Sequence, residues 1–241
     1  MRLSGLIVAL QLMTRLPVPS IEGESRRELA SAAPFLPLAG ALVGAVVASA
    51  VWAGGGISPS VSALLGVVAW VGVTGALHLE GLGDVADGLG AAHGDSERFL
   101  AVARDPHVGG FGAAVMMLQL VAKLVLLAEV ALGRNYLAVI LIAAWARWGT
   151  LLLARAVPPL SEGMGQRLAG GVTWRLTAVL AAVLALASYP IAPVLTCAPL
   201  ITLLLAGYWR RRLGGITGDC HGASIEVSET VLLFLLVAVG F

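Results

Sequence analysis

The chain has 241 residues, 59% of them hydrophobic and 12% charged, with a mean hydropathy of +0.93. A soluble domain carries about 25% charged residues, so the composition excludes one and points to an integral membrane protein. The net charge of +1 excludes nucleic-acid binding through a broadly basic surface, and no block of like charge marks a disordered tail.

Taken in chain order, the first element is Leu3 to Met13, which superficially resembles a signal peptide behind Met1-Arg2. No clear small-x-small cleavage site follows, and Arg15-Leu-Pro17-Val-Pro19 comes at once. At ~11 residues the segment is too short to span, so a retained re-entrant or interfacial helix is predicted. Apolar runs long enough to cross a bilayer lie near residues 32–53, 60–79, 109–132 and 136–157, with further runs at 173–189, 191–208 and 229–241. The last is short and could begin nearer Ser224; Pro190 and Pro193 make the preceding pair a tight hairpin or one broken element. Six or seven spans of ~20 residues result. The expected fold is all-α, a polytopic transmembrane helical bundle forming a single domain over residues 1–241.

Basic residues orient it. Arg2, Arg15, Arg26 and Arg27 precede the first span, and Arg98 and Arg104 follow the second. Arg155, Arg167 and Arg175 flank the loop after the fourth, and Arg210, Arg211 and Arg212 follow the sixth. With alternate crossings all of these fall on one side, and the opposite loops carry only Arg134. The positive-inside rule makes the charged side cytoplasmic, so a multi-pass protein of the cell (inner) membrane is expected. Every carboxylate except Glu129 is assigned to that side, in loops or helix ends. Glycines such as Gly40, Gly44, Gly66 and Gly72 are read as close-packing positions, and no internal repeat is visible. Cys197 and Cys220 imply no disulfide.

The most informative segment is His78-Leu-Glu80-Gly-Leu-Gly-Asp84-Val-Ala-Asp87-Gly88, at the end of an apolar run. On a helix Glu80, Asp84 and Asp87 sit at roughly 0°, 40° and 340°, all within one narrow arc. Like charges so placed repel. A divalent cation relieves them, and oxygen-only ligands favour a hard ion such as Mg²⁺. The competing reading is a solvated, frayed helix end within a long polar loop from Glu80 to His107. That loop also holds Asp95, Glu97 and Arg104-Asp105-Pro-His107-Val-Gly109-Gly-Phe-Gly112.

A second cluster, Gly214-Gly-Ile-Thr217-Gly218-Asp219-Cys-His221-Gly222-Ala-Ser224-Ile-Glu226-Val-Ser-Glu229, follows the arginine triplet and reads as a glycine-rich cytoplasmic loop, although it is no Walker A motif. Its backbone amides and the guanidiniums could hold phosphates. Lys123 and Arg147 lie inside predicted spans, where an unpaired charge costs ~3 kcal/mol or more. They should face the bundle interior, pair with an acid, or neutralise a bound anion; snorkelling suits Lys123 better than Arg147. His78, His107 and His221 border the acidic clusters and His93 lies mid-loop, none with zinc-ligand spacing.

The segment His78-Leu-Glu80-x₃-Asp84-x₂-Asp87-Gly88 resembles the signature of the cobalamin 5′-phosphate synthases, the adenosylcobinamide-GDP ribazoletransferases. Thr14-Arg15-Leu-Pro17-Val-Pro19, Phe35-Leu-Pro37-Leu-Ala-Gly40, Arg104-Asp105-x-His107-x-Gly109 and Gly215-x-Thr217-Gly218-Asp219-x-x-Gly222-Ala are similar to the same family, in order and essentially end to end. Glu80 departs from it, standing where Asp is expected.

The resemblance implies a Mg²⁺-requiring membrane enzyme that joins adenosylcobinamide-GDP to α-ribazole or its 5′-phosphate and releases GMP. It implies Glu80, Asp84, Asp87 and Asp105 as metal ligands. Asp87, Asp105 and His107 become candidate catalytic residues, Asp105 doubling as ligand or general base. Arg104, Lys123, Arg147, Arg212, Thr217 and Asp219 become candidates for holding substrate. It leaves open a homo-oligomer or the docking of other corrin-pathway enzymes. Asp84-x₂-Asp87-Gly88 is also similar to half of the CDP-alcohol phosphotransferase motif, so a lipid-type alcohol phosphotransferase is the alternative. A cation-coupled transporter is the more distant one, and would require carboxylates near the bilayer midplane.

Overall fold

The computed structural model describes residues 3–19, 30–92, 94–160 and 170–240. Arg2, Arg26, Arg27, His93 and Arg167 lie outside the described residues. Ten α-helices are described: α1 (Leu3–Met13), α2 (Leu36–Gly54), α3 (Pro59–Thr74), α4 (Leu77–Ala92) and α5 (Ser96–Val102), then α6 (Gly110–Gly133), α7 (Tyr136–Ala156), α8 (Trp174–Ser188), α9 (Ala198–Leu213) and α10 (Gly218–Val239). The all-α membrane bundle is as expected.

Five described helical stretches are long and apolar enough to cross a membrane, and the pair α3–α4 makes a sixth only if its two bent halves are counted together. The expectation of six or seven is reduced mainly by α8. Its 15 residues cover only about 22 Å at 1.5 Å per residue, short of a hydrocarbon core of about 30 Å. Helix α1, at 11 residues, is the predicted short N-terminal element and packs Val8, Ala9 and Met13 into the core.

Helix α7 is the hub. It is mostly apolar, and apart from half-buried Ile140 the residues from Ala138 to Leu153 are buried, as expected of a helix surrounded by others. Gly40 and Gly44 let α2 lie directly on it: a Cβ at Gly40 would come within 2.3 Å of the Ala143 carbonyl oxygen. Gly72, by contrast, has no neighbour within 4 Å of a built Cβ, so its assignment as a packing residue is corrected. Two indoles of α7 hold α8 by hydrogen bonds, Trp145 Nε1 to Ser188 Oγ at 3.0 Å and Trp148 Nε1 to the Thr177 carbonyl at 2.9 Å.

The apolar run at 60–79 does not continue straight into the acidic segment. Gly75 and Ala76 both adopt left-handed backbone (φ 62° and 59°), which ends α3 and turns α4 by 86°. The Arg15 backbone N–H donates to the Val73 carbonyl at 2.8 Å, and its side chain crosses over Gly75, where a Cβ would lie 2.3 Å from Arg15 Cγ. We read α3 as the membrane-embedded half and α4 as an arm laid across the end of the bundle, outside the span. What was expected to be a loop from Glu80 to His107 is therefore mostly helix. Asp95 caps α5, accepting from the Glu97 and Arg98 amides, and Phe99 packs under α4 against Gly88.

The second correction concerns residues 218–229. They are not a glycine-rich loop but the first half of α10, which begins at Gly218 with Thr217 as its N-cap. Glu226 and Glu229 thus lie inside the bundle, 4% and 0% exposed, not at a helix end.

Candidate active site

Helices α6 and α10 both begin against α4, α6 at Asp87 and α10 at Gly81, and the first three turns of α4 carry the acids. The acids Glu80, Asp84 and Asp87 project from one side of α4, with Glu80 exposed and the other two half-buried. Gly81 receives α10: a Cβ there would lie 3.2 Å from the Asp219 Cα and carbonyl oxygen. This contact brings Asp219, expected to hold substrate, up to the acid face. Burial and the negative charges of Asp219, Glu80 and Asp87, in that order, raise the Asp84 carboxyl to about 6. Four carboxylates thus share one face.

Asp87 has a defined structural partner. Its Oδ2 accepts from the Gly109 amide and its Oδ1 from the Gly112 amide, each at 2.8 Å. The carboxylate caps the N-terminus of α6, where unpaired N–H groups and the helix dipole favour an anion. Side chains cannot be added there: a Cβ at Gly109 or Gly112 would come within 2.5 or 2.3 Å of an Asp87 oxygen. Gly112→Ala is therefore expected to cost about 1–3 kcal/mol in thermal unfolding, the usual range for overpacking. Gly110→Ala, with no neighbour within 4 Å, should leave the melt unchanged; equal effects in the two would show that Asp87 does not bind as described.

Asp105 and His107 form a separate, exposed pair. Asp105 Oδ1 accepts from the His107 amide at 2.9 Å and lies 2.7 Å from His107 Nδ1. The backbone bond first, and the side-chain bond second, hold the Asp105 carboxyl below its ordinary range. The structure thus gives Asp105 a local partner in His107. Gly109, two residues on, anchors this segment beside the acid face through Asp87. Arg104 is exposed in the same segment.

Lys123 and Arg147 meet carboxylates of α10. Lys123 Nζ lies 2.7 Å from Glu226 Oε2, 2.6 Å from Glu229 Oε2 and 4.2 Å over the Trp70 ring. Arg147 Nη1 donates to Glu229 Oε1. Gln119 Nε2 donates to Glu226 Oε2 at 2.7 Å and to Thr230 Oγ1 at 2.8 Å. Two cations and two anions balance in a buried network joining α3, α6, α7 and α10. Of the alternatives set out from sequence, facing the bundle interior and pairing with an acid are both realised: Lys123 is 3% exposed and Arg147 0%. Carboxylates inside the bundle, the mark set for a transporter, are thus present, but in a charge-balanced cluster. Sequence reasoning missed Gln119 and placed Glu226 and Glu229 in a loop. The available signal was Thr217 as an N-cap, followed by 22 residues without proline.

Thr217 uses its hydroxyl to accept from the Cys220 amide at 3.2 Å. Arg212 is exposed in the last turn of α9. His78 is buried at 4% exposure, Cys220 is buried, and both cysteines are free. Among the described residues, no three His, Cys, Asp or Glu groups converge closely enough to hold a metal ion without rearrangement. The donor chemistry nevertheless fits a hard cation: Glu80, Asp84 and Asp219 offer only oxygens, and the charges of Asp219 and Glu80 crowd Asp84.

The family model described as cobalamin-5-phosphate synthase matches residues 5–237. The chain belongs to the cobalamin-5-phosphate synthase family. It is 43% identical to the adenosylcobinamide-GDP ribazoletransferase of Novosphingobium aromaticivorans, over 98% of this chain and 97% of that protein. It is 45% identical to the protein of the same name from Thiobacillus denitrificans (96% and 94% covered) and 46% identical to that of Laribacter hongkongensis (97% and 96% covered). No solved structure matches the chain. The family match takes in the acid face, the Asp105–His107 segment and the buried network alike.

Proposed function

We propose that this protein is an adenosylcobinamide-GDP ribazoletransferase, acting in cobalamin assembly. The observation that carries this reading is the identity of 43–46%, over nearly the full chain, to three proteins of that name. The substrates are adenosylcobinamide-GDP and α-ribazole or its 5′-phosphate. A ribose hydroxyl of the acceptor attacks the cobinamide-side phosphorus, the bond to the GMP phosphate oxygen breaks, and GMP leaves.

Glu80, Asp84 and Asp219 would hold Mg²⁺, which when bound supplies positive charge against the pyrophosphate and the leaving phosphate. Asp87 fixes α4 to α6 and so sets the position of Asp84 one turn away. His107 accepts the acceptor's hydroxyl proton at Nε2, with Asp105 orienting the ring through Nδ1. Arg104, exposed in the same segment, pairs with substrate phosphate. The acid face is cytoplasmic and the membrane is the cell (inner) membrane. Arg15, Arg98, Arg104, Arg155, Arg175 and the triplet at 210–212 support this, against Arg134 alone at the far end.

GMP release from adenosylcobinamide-GDP by the purified protein in detergent, with and without Mg²⁺, tests the reading. Absence of release with both substrates and Mg²⁺ present would reject it. The pH dependence tests the metal face separately. Because the Asp84 carboxyl sits near 6, protons compete with the ion below that pH, so Mg²⁺ half-saturation should weaken as pH falls through 6. The stability sign is opposite. A carboxyl raised in the fold stabilises below its unfolded pKa, and that contribution is lost as pH rises toward 6. Thermal stability without Mg²⁺ should therefore decline over that window and recover when the ion is added.

A further inference from the structure

Two grooves flank Tyr208 near the end of α9, on the back of the arm that carries the acids. The first, about 430 Å³, runs along α9: Leu203, Leu204, Gly207 and Tyr208 line its length, and Arg211 and Arg212 close it. The second, about 580 Å³, lies between α4, α9 and α10 and is almost wholly apolar, with Leu82, Val85, Leu89, Leu205 and Val227 in its walls. Tyr208 borders both. Its ring stands edge-on to buried Trp209, with centroids 4.9 Å apart, which fixes the ridge between them. Tyrosine is enriched at the depth where acyl chains give way to headgroups.

The guanidiniums are available to a ligand. Arg211 and Arg212 are exposed, and neither takes part in an ion pair among the described residues. On the same helix Leu200, Leu203 and Leu204 are also exposed. Two apolar troughs on either side of one aromatic ridge, with two cations at the membrane-surface end, match two acyl chains joined at one phosphate. A soluble nucleotide would leave both troughs uncovered, and a lipid without net charge would leave the cations unneutralised.

We propose that Arg211, Arg212 and the grooves about Tyr208 form a binding site for an anionic diacyl phospholipid. One acyl chain lies over Leu203, Leu204 and Gly207, and the other enters the cleft behind α4. Since Leu82, Val85 and Leu89 lie on the side of α4 opposite Glu80, Asp84 and Asp87, the lipid braces the arm that presents the acids. The site stands independently of the ribazoletransferase reading.

The test mixes the detergent-purified protein with equal phosphatidylglycerol and phosphatidylcholine and counts retained lipid by native mass spectrometry. Wild type should retain phosphatidylglycerol preferentially. Arg211→Gln and Arg212→Gln should each lower that retention roughly fivefold, the effect of one basic residue at an anionic surface. Gly207→Leu adds a side chain where no atom lies within 4 Å, so it should lower retention with both arginines intact and the melt unchanged. Equal retention of the two lipids by wild type, or undiminished phosphatidylglycerol retention in the variants, overturns the site. So does loss of GMP binding in the double arginine variant with lipid retention intact, which would assign the guanidiniums to a soluble phosphate.

Discussion

Asp84→Asn is expected to lower Mg²⁺-dependent GMP release by at least about a hundredfold, the order of magnitude lost with a key charge-stabilising group. Its distinguishing feature is what happens to stability. Asp84 is held near Asp219, Glu80 and Asp87, and those charges together with burial push its carboxyl up to about 6. Removing its charge relieves repulsion, so the variant should melt at the same temperature as wild type or higher when Mg²⁺ is absent. The stabilisation that Mg²⁺ gives wild type should shrink or vanish. A variant that loses activity because it misfolds would move the other way, with a lower melt in all conditions. Normal turnover in Asp84→Asn would remove the metal assignment altogether. Asp219→Asn should behave similarly, whereas Asp87→Asn should also lower the melt, because Asp87 accepts two amides at the start of α6.

Glu229→Ala should have the largest effect on stability. Glu229 is fully buried and receives both Lys123 and Arg147. Its removal leaves two buried cations facing one remaining anion, Glu226. Breaking a buried ion pair by deleting one partner typically costs about 3–5 kcal/mol, because the surviving charge is uncompensated. Thermal or denaturant unfolding in detergent would read this directly. The control is a balanced deletion: Lys123→Met combined with Glu226→Gln leaves the Arg147–Glu229 pair intact. That double variant should be more stable than Lys123→Met alone, since removing both members of a buried pair is often close to neutral. If the double variant were instead worse by the sum of its parts, the two charges would not be coupled as described.

These two experiments separate the chemistry at the end of the bundle from the charges within it, a separation the sequence could not make. Glu80, Asp84 and Asp87 were legible as a cluster because helical periodicity alone aligns residues at i, i+4 and i+7. Lys123 and Arg147 were legible as anomalies because charge is costly inside a span. Their partners were not, because Glu226 and Glu229 lie over a hundred and about eighty positions away, on a helix whose start was hidden in a glycine-rich stretch. Asp105 illustrates the converse. The family resemblance implied a ligand or general base, and in the structure its carboxylate accepts from the His107 amide two residues on.

The sequence by itself determined the membrane class, the acidic triplet and the family. All follow from composition, periodicity and local motif, which need no knowledge of distant contacts. Only the tertiary structure decided which acids lie together. The left-handed pair Gly75–Ala76 bends α4 across the bundle, Gly81 lets α10 approach, and Asp219 joins Glu80 and Asp84 while Asp87 is drawn off to cap α6. Such assignments depend on which backbones can come within van der Waals contact, and that is set by packing between helices far apart in the chain.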